Sequence, residues 1–153
     1  MKKFLVLIAT VITSCSIFEM PHTELGPGDY LPADLESYGD YQCGTTLVVF
    51  FNPECPDCHN TLPVVDSVLK GHPSLKVIAF GRDMTRAETD AFSDTASFSF
   101  PICPDPDRKM YHRFTMSVIP RCYLALNNRI LDVWDDKDTI SVESANAAFK
   151  NKF

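Results

Sequence analysis

The stretch that decides the fold reads TTLVVFFNPECPDC and runs from Thr45 to Cys58. Its first seven residues, Thr45 to Phe51, are mostly apolar or β-branched and show no alternation of polar and apolar positions. Such a run is typical of a strand that is buried on both faces of a parallel sheet. The next segment, Pro56 to Lys70, has apolar residues at the spacing of one helix face. The sequence therefore predicts a buried strand, a short turn and a helix, with two cysteines at the start of that helix.

These two residues, Cys55 and Cys58, have the Cys-x-x-Cys spacing. At the N-terminal end of a helix, free amide groups and the helix dipole stabilise negative charge, so we expect Cys55 to ionise easily and to act as a nucleophile. Cys58 lies one turn further into the helix and is predicted to resolve the mixed disulfide. Pro56 suits the first helical position, whereas the charges of Glu54 and Asp57 should oppose thiolate formation.

The rest of the chain carries signals for further strands and helices. The predicted elements after the first helix are a strand at 75–80, a helix from the Thr85 capping box to about residue 94, an extended segment at 98–103, a helix with Asp105 as N-cap and Pro106 at its first position, a hairpin of strands at 121–126 and 129–134, and a helix from the Ser141 cap to 149. This order predicts an α/β fold with a central mixed β-sheet flanked by helices on both faces.

Composition limits the class of protein. The chain has 153 residues, of which 45% are hydrophobic and 22% are charged. These values are those of one soluble globular domain. The formal net charge is −6 and the pI is about 5.1. Since a nucleic-acid binder normally carries a basic surface, we expect no nucleic-acid partner.

The first residues have the pattern of an export signal. Met1-Lys2-Lys3 is followed by an apolar run, Phe4 to Ile12, that is too short for a membrane span. The run ends in Thr13-Ser14-Cys15, which resembles the lipobox of bacterial lipoproteins. This resemblance implies that residues 1–14 are a removed signal peptide, that Cys15 carries a lipid, and that the protein is exported to the bacterial cell envelope or periplasm and held to a membrane. We expect a tether at 15–30 and a single domain at 31–153.

The motif and its context resemble the thioredoxin-like superfamily, and in particular exported TlpA-like thiol–disulfide oxidoreductases. The resemblance implies a thioredoxin-like fold, disulfide exchange through Cys55 and Cys58, and a cis bond between Ile119 and Pro120, which would line the substrate site together with Pro56 and Asp57. It also implies protein thiols or disulfides as substrates, a protein electron donor, and no bound cofactor or metal. The residues that carry it are Val48 to Cys58, Pro63, Phe100-Pro101, Asp105 to Asp107 and Val118 to Pro120.

Three positions depart from the family pattern. Glu54 stands where a Trp is common, Val49 where thioredoxin has a buried acid, and Thr61 where many TlpA-like members have Glu. The usual proton shuttle for Cys58 is therefore missing. The sequence leaves Glu54, Asp57 or a water molecule as substitutes.

Other interpretations of the motif involve a cofactor or a metal. Together with His59, the two cysteines also form the Cys-x-x-Cys-His pattern of c-type haem attachment. The predicted buried strand before it and the thioredoxin-like pattern after it favour the redox motif. A zinc site would need two more ligands, and Cys103 and Cys122 lack a second close spacing.

Two further functions remain open on the same fold. A peroxiredoxin-like thiol peroxidase usually has Thr and Pro before its reactive cysteine, and here only Pro53 is present. A non-catalytic surface or binding lipoprotein would keep a structural Cys55–Cys58 bond. Reduction potential separates these cases, since a structural disulfide resists the glutathione pool and a catalytic one exchanges with it.

Three cysteines, Cys43, Cys103 and Cys122, lie beyond the motif and the predicted lipid site. An odd number means that at least one of them is free or is bonded elsewhere. Cys122 follows Pro120 closely and is either a third redox thiol or, as we favour, an inert buried one. We expect Arg121 to be a solvated charge at the strand end.

Overall fold

The computed structural model describes residues 23–114 and 117–150. The predicted signal peptide at 1–14, the predicted lipid attachment residue Cys15 and the first part of the predicted tether all lie outside these ranges. Within them, no helix is both long enough and apolar enough to cross a membrane.

Five strands and four α-helices form the described part of the chain. A short 3-10 helix, Ala33–Tyr38, precedes the first strand and was not predicted. The elements are, in order, β1 (Thr45–Phe51), α1 (Pro56–Gly71), β2 (Lys76–Arg82), α2 (Arg86–Ala96), β3 (Ile102–Asp105), α3 (Lys109–Arg113), β4 (Arg121–Leu126), β5 (Arg129–Trp134) and α4 (Val142–Lys150).

The strands form one mixed sheet in the order β3-β2-β1-β4-β5. β1 runs parallel to β2, and β2 runs parallel to β3, whereas β4 is antiparallel to both β1 and β5. This topology places the end of β1 beside the start of β4, where Phe50 pairs with Arg121. The turn that follows β1 and the segment that precedes β4 therefore meet at the same end of these two central strands.

The uniform apolar pattern of β1 has a direct structural reason. Leu47, Val49 and Phe51 face one hydrophobic core, which α1 and α4 cover, while Val48 and Phe50 face a second core on the other side of the sheet. All five side chains are at most 1% exposed. Burial of each one contributes about 1.5–3 kcal/mol to folding. The prediction of a strand buried on both faces is confirmed.

Most local signals were interpreted correctly. The Thr85 capping box is present, with Glu88 accepting from the Thr85 amide and Thr85 accepting from the Glu88 amide. Asn127 and Asn128 have positive φ angles of 47° and 70° and form the β4–β5 turn. Ser141 accepts a hydrogen bond from the Ser144 amide at the start of α4.

Two predicted boundaries were wrong. The extended segment predicted at 98–103 forms a strand only over 102–105, and α3 begins at Lys109 rather than at Pro106. The later start of α3 is due to the side chain of Asp105, which is buried and accepts hydrogen bonds from the amides of Met110 and Tyr111. Asp105 therefore caps the helix, as the sequence indicated, but across an intervening turn.

Residues 24–30 fall within the predicted tether, yet they are hydrogen-bonded to the domain. The Gly28 amide donates to the Ile130 carbonyl over 2.8 Å, and the Ile130 amide donates to the Asp29 carbonyl over 2.8 Å. Tyr30 makes an isolated β-bridge with Arg129. This stretch thus lies against β5.

Candidate active site

A tight turn between β1 and α1 positions Cys55. The Asn52 side chain organises this turn, because its amide donates to the Arg82 carbonyl over 2.8 Å and its oxygen accepts from the Glu54 amide over 2.8 Å. The Cys55 amide in turn donates to the Asn52 carbonyl over 3.0 Å. Cys55 is therefore held at the N-cap of α1, with Pro56 at the first helical position as predicted. The bridging role of Asn52 was not predicted, since it depends on the neighbouring strand β2.

The two thiols of the motif have different environments. Cys55 is partly exposed, whereas Cys58 is only 1% exposed and belongs to the core between the sheet and α1. Burial raises the pKa of the Cys58 thiol well above its ordinary value, and a hydrogen bond with the Cys55 side chain acts in the same direction. The pair therefore consists of one accessible sulfur and one sheltered sulfur that is kept protonated.

No carboxylate in the described part of the chain is buried beside Cys58. The two buried carboxylates, Asp66 and Asp105, bind the Ser99 amide and the start of α3 respectively. Thr61 is buried, and its hydroxyl donates to the Asp57 carbonyl over 2.9 Å within the helix. Because Val49 and Thr61 stand where relatives have acidic residues, the sheltered thiol of Cys58 has no buried carboxylate from the described residues beside it to take its proton.

The segment before β4 supplies the second wall of the site. The Ile119–Pro120 peptide bond is cis, as predicted. The thiol of Cys55 contacts the Ile119 carbonyl oxygen, with the sulfur 3.9 Å away. Pro120 is buried and Ile119 is half-buried. Residues 64 positions apart in the chain are thereby brought together at the sulfur.

The remaining predicted site residues lie at the start of α1. Pro56 and Asp57 are both exposed on the first turn of α1, next to the accessible sulfur. The acidic residues Glu54 and Asp57, both exposed, stand on either side of Cys55 in the sequence. The motif therefore brings two acidic side chains to the turn that carries the accessible sulfur.

A groove of about 700 Å³ opens beside Cys55 and was not predicted. One side of it is the active-site turn, and the other is formed by the end of β2 and by α2. No sequence pattern indicates this groove, because its walls come from distant segments. Its lining residues are Asn52, Pro53, Glu54, Cys55, Arg82, Asp83, Met84, Glu88, Ala91, Phe92 and Ile119.

Arg121 is buried, contrary to the expectation of a solvated charge. Only 7% of the residue is exposed, and its guanidinium donates to the carboxylates of Glu24 and Asp135, the latter over 3.1 Å. Tyr123 lies within 3.5 Å of its Nε. Burial of this cation is tolerated because two carboxylates neutralise it. The sequence did not indicate these partners, since Glu24 lies 97 residues away in the chain.

None of the five cysteines in the described ranges is in a disulfide. Cys122 is 1% exposed, and burial raises the pKa of its thiol to about 12. This environment is that of the inert buried thiol that the sequence favoured. Burial also raises the pKa of the half-buried Cys103, while Cys43 is exposed in the loop before β1.

The haem and zinc interpretations concern His59 and the cysteines. The Nε2 atom of His59 is 2.6 Å from the Pro53 carbonyl oxygen, so the ring is hydrogen-bonded within the active-site turn itself. Among the residues that the structure describes, no three or more His, Cys, Asp or Glu side chains are grouped as metal ligands would be.

Comparisons with known proteins identify the fold. No family model and no curated protein matches the sequence. Among solved structures, the thioredoxin domain of a thiol-disulfide oxidoreductase from Bacteroides vulgatus matches over 83% of this chain and 98% of that chain, with a TM-score of 0.65 and 12% identity. The chain has a thioredoxin-like fold.

Other solved structures agree. A putative thiol:disulfide interchange protein DsbE from Chlorobium tepidum is similar over 84% of this chain and 94% of that chain, with a TM-score of 0.64 and 16% identity. StoA from Bacillus subtilis is similar over 69% of this chain and 82% of that chain, with a TM-score of 0.60 and 20% identity. The predicted thioredoxin-like fold with its mixed sheet is confirmed.

Proposed function

We propose that this thioredoxin-like protein is a thiol–disulfide oxidoreductase that acts on partner proteins through Cys55 and Cys58. The observation that carries the proposal is the contrast between the two sulfurs. Cys55 is accessible at the tip of α1 and touches the carbonyl beside a cis proline, while Cys58 is sheltered one turn below it. An accessible nucleophile and a protected second thiol are what a two-step exchange requires.

The reaction in the reducing direction begins with the Cys55 thiolate. It attacks one sulfur of a target disulfide, a new S–S bond forms to the target, and the other target sulfur leaves as a thiolate that takes up a proton. Cys58 then loses its proton and attacks the Cys55 sulfur. This step releases the second target sulfur as a thiol and leaves a Cys55–Cys58 disulfide. Two electrons have then passed to the target, and a protein dithiol must supply them again. The reverse sequence oxidises a target dithiol.

Two surfaces are suited to hold the target. The Ile119 carbonyl accepts hydrogen bonds and faces the site beside Cys55, so an extended target segment can donate a main-chain amide to it. The groove at α2 offers apolar contacts through Met84 and Phe92 for a side chain next to the target cysteine. Pro56 and Asp57, exposed on the first turn of α1, are expected to contact the target as well.

For the location, we propose an exported protein whose Cys15 carries a lipid in the bacterial cell envelope. This part rests on the sequence of the first fifteen residues. Metabolic labelling with a radioactive fatty acid, compared between the wild type and Cys15→Ser, tests it. Label that is equal in both proteins would contradict lipid attachment at Cys15.

A redox titration tests the proposed activity. The protein is equilibrated with glutathione buffers of graded potential, free thiols are alkylated, and mass spectrometry counts the modified cysteines. We expect the Cys55–Cys58 pair to change state within the range that the glutathione buffers reach. A pair that stays oxidised under the most reducing buffer would instead indicate a structural bond in a non-catalytic binding protein.

A further inference from the structure

We infer that Glu24 is a positioning residue, which fixes the loop carrying Ile119 and Pro120 at the distance from Cys55 that target binding needs. The inference rests on the proposed function and adds a role for the segment that precedes the domain core. Nothing in the sequence pattern around Glu24 suggested this role.

Glu24 bridges the two ends of the loop at residues 117–121, and we call this bridge to Ser117 and Arg121 the clamp. The carboxylate of Glu24 accepts from the Ser117 hydroxyl through one oxygen and from the Arg121 guanidinium through the other. Ser117 and Arg121 stand on either side of the cis Ile119–Pro120 bond. One side chain therefore joins the two ends of a five-residue loop whose middle carries the carbonyl that touches the Cys55 thiol.

The Arg121 end of the clamp is itself held in place. Arg121 begins β4, is 8% exposed in its side chain, and is held from the opposite side by Asp135 at 3.1 Å. It pairs with Phe50 across the sheet. A buried guanidinium between two carboxylates has few alternative positions, because its charge would be unpaired in the interior if it left both of them.

The segment that carries Glu24 is also fastened. The Leu25 amide donates to the Phe114 carbonyl over 3.3 Å, just before the loop, and Gly28 and Asp29 are hydrogen-bonded to β5 at Ile130. The backbone that carries Glu24 is therefore hydrogen-bonded to the domain both at Leu25 and at Gly28 and Asp29. Its side chain remains about one-third exposed, at 34%, so its replacement leaves no buried cavity.

The position of this loop should affect reaction with protein targets but not reaction with small disulfides. A target segment that hydrogen-bonds to the Ile119 carbonyl depends on where that carbonyl lies relative to the sulfur. A small disulfide reaches the Cys55 sulfur without using the loop. Loss of the clamp should therefore slow exchange with proteins selectively, since small displacements of positioning groups reduce reaction rates markedly.

The test compares Glu24→Ala and Ser117→Ala with Glu36→Ala in the full chain. Glu36 is an exposed acid of the 3-10 helix, whose side chain makes no hydrogen bond or ion pair with the described residues. Three quantities are measured for each variant: the rate of insulin disulfide reduction, the rate of reaction of the reduced protein with 5,5′-dithiobis(2-nitrobenzoate), and amide hydrogen exchange over residues 117–121. All rates are taken well below the unfolding temperature.

For Glu24→Ala we expect insulin reduction to fall by about 5- to 10-fold, while the small disulfide reacts within about twofold of the wild-type rate. Ser117→Ala should show a smaller fall, and Glu36→Ala none. In Glu24→Ala, amide hydrogen exchange should accelerate at residues 117–121 and stay unchanged in the rest of the domain. Equal losses with both substrates, or unchanged loop exchange in Glu24→Ala, would overturn the inference. A wild-type protein whose Cys55–Cys58 pair exchanges with neither insulin nor the glutathione buffers would instead contradict the proposed function, and the amide hydrogen exchange data would still test the clamp.

Discussion

The sulfur of Cys55 lies 3.9 Å from the main-chain carbonyl oxygen of Ile119, the residue that precedes the cis proline. This relationship joins the tip of α1 to the loop before β4, and it exists because β1 and β4 are antiparallel neighbours in the sheet. It brings a nucleophile and a main-chain hydrogen-bond acceptor to one point of the site. A target cysteine in an extended segment can meet both at once.

The difference in exposure predicts the order in which the cysteines react. In the native reduced protein, iodoacetamide should modify Cys43 and Cys55 first, because both are accessible, and Cys122 at least about 100-fold more slowly, because it is buried and protonated. Timed quenching followed by peptide mass spectrometry measures each site. In urea that unfolds the protein, all sites should react at similar rates. Rapid native modification of Cys122 would show that the core beside the motif opens readily.

The raised pKa of Cys58 predicts a pH-dependent second step. Since only the thiolate attacks and the thiol is the main form below its pKa, resolution should accelerate by about tenfold per pH unit between pH 6 and 8. The measurement starts from a preformed mixed disulfide of Cys55 with thionitrobenzoate, and stopped-flow absorbance follows its release. A rate that is flat over this range would mean that a nearby group removes the Cys58 proton at lower pH.

Blocking the groove should reduce activity towards proteins. Ala91 is exposed on α2 and lines the groove, whereas Ala87 is exposed on the same helix and does not line it. Ala91→Trp should slow insulin reduction by roughly 5-fold or more through lost target contacts, and the matched Ala87→Trp should change it by less than about twofold. Reaction with a small disulfide should be similar in both. If the two variants reduce insulin equally fast, the groove does not receive targets.

Asp66 links α1, which carries both active cysteines, to the loop before β3. Its carboxylate accepts from the Ser99 amide over 2.8 Å and pairs with Lys70 at 2.5 Å. The Lys70 side chain, followed by the Ser99 amide, holds the pKa of Asp66 below its ordinary value. A lowered folded-state pKa stabilises the protein above the ordinary pKa, and this contribution is lost as the pH falls through the lowered value.

Asp66→Ala should therefore lower the free energy of unfolding by about 1–3 kcal/mol at pH 7, and the difference from wild type should shrink below pH 4. Urea unfolding at pH 7, 4 and 2.5 measures it. Asp94→Ala, which changes an exposed acid on α2, is the control and should stay within about 0.5 kcal/mol of wild type. A difference that is constant over the pH series would show that the Asp66 charge does not contribute.

Elements that depend on near neighbours in the chain could be predicted from the sequence. β1, the Asn127-Asn128 turn and the Thr85 capping box each follow from a few consecutive residues. The start of α3 could not be placed correctly, because the Asp105 carboxylate reaches amides five and six residues ahead. A signal for a cap was present, but its geometry was set by the buried position of Asp105.

The features of the candidate site also fall into those that the sequence predicts and those that depend on distant parts of the chain. Cys55, Cys58 and the cis bond at Ile119–Pro120 followed from a motif and a family resemblance. The burial of Arg121 did not, because its partner Glu24 comes from the opposite end of the chain. The groove at α2 was missed for the same physical reason, since periodicity and capping describe single elements and not the space between two of them.

Trapping of mixed disulfides tests the central claim, the division of labour between Cys55 and Cys58, most directly. Variants Cys58→Ser and Cys55→Ser are made in a background of Cys15→Ser and Cys43→Ser, which removes the exposed thiol of Cys43 and that of Cys15. Each reduced variant is mixed with insulin, and non-reducing mass spectrometry identifies the linked cysteines. Cys58→Ser should accumulate an adduct through Cys55, and Cys55→Ser should accumulate at least about tenfold less, because its remaining motif thiol is buried and protonated. Equal trapping by the two variants would contradict the account.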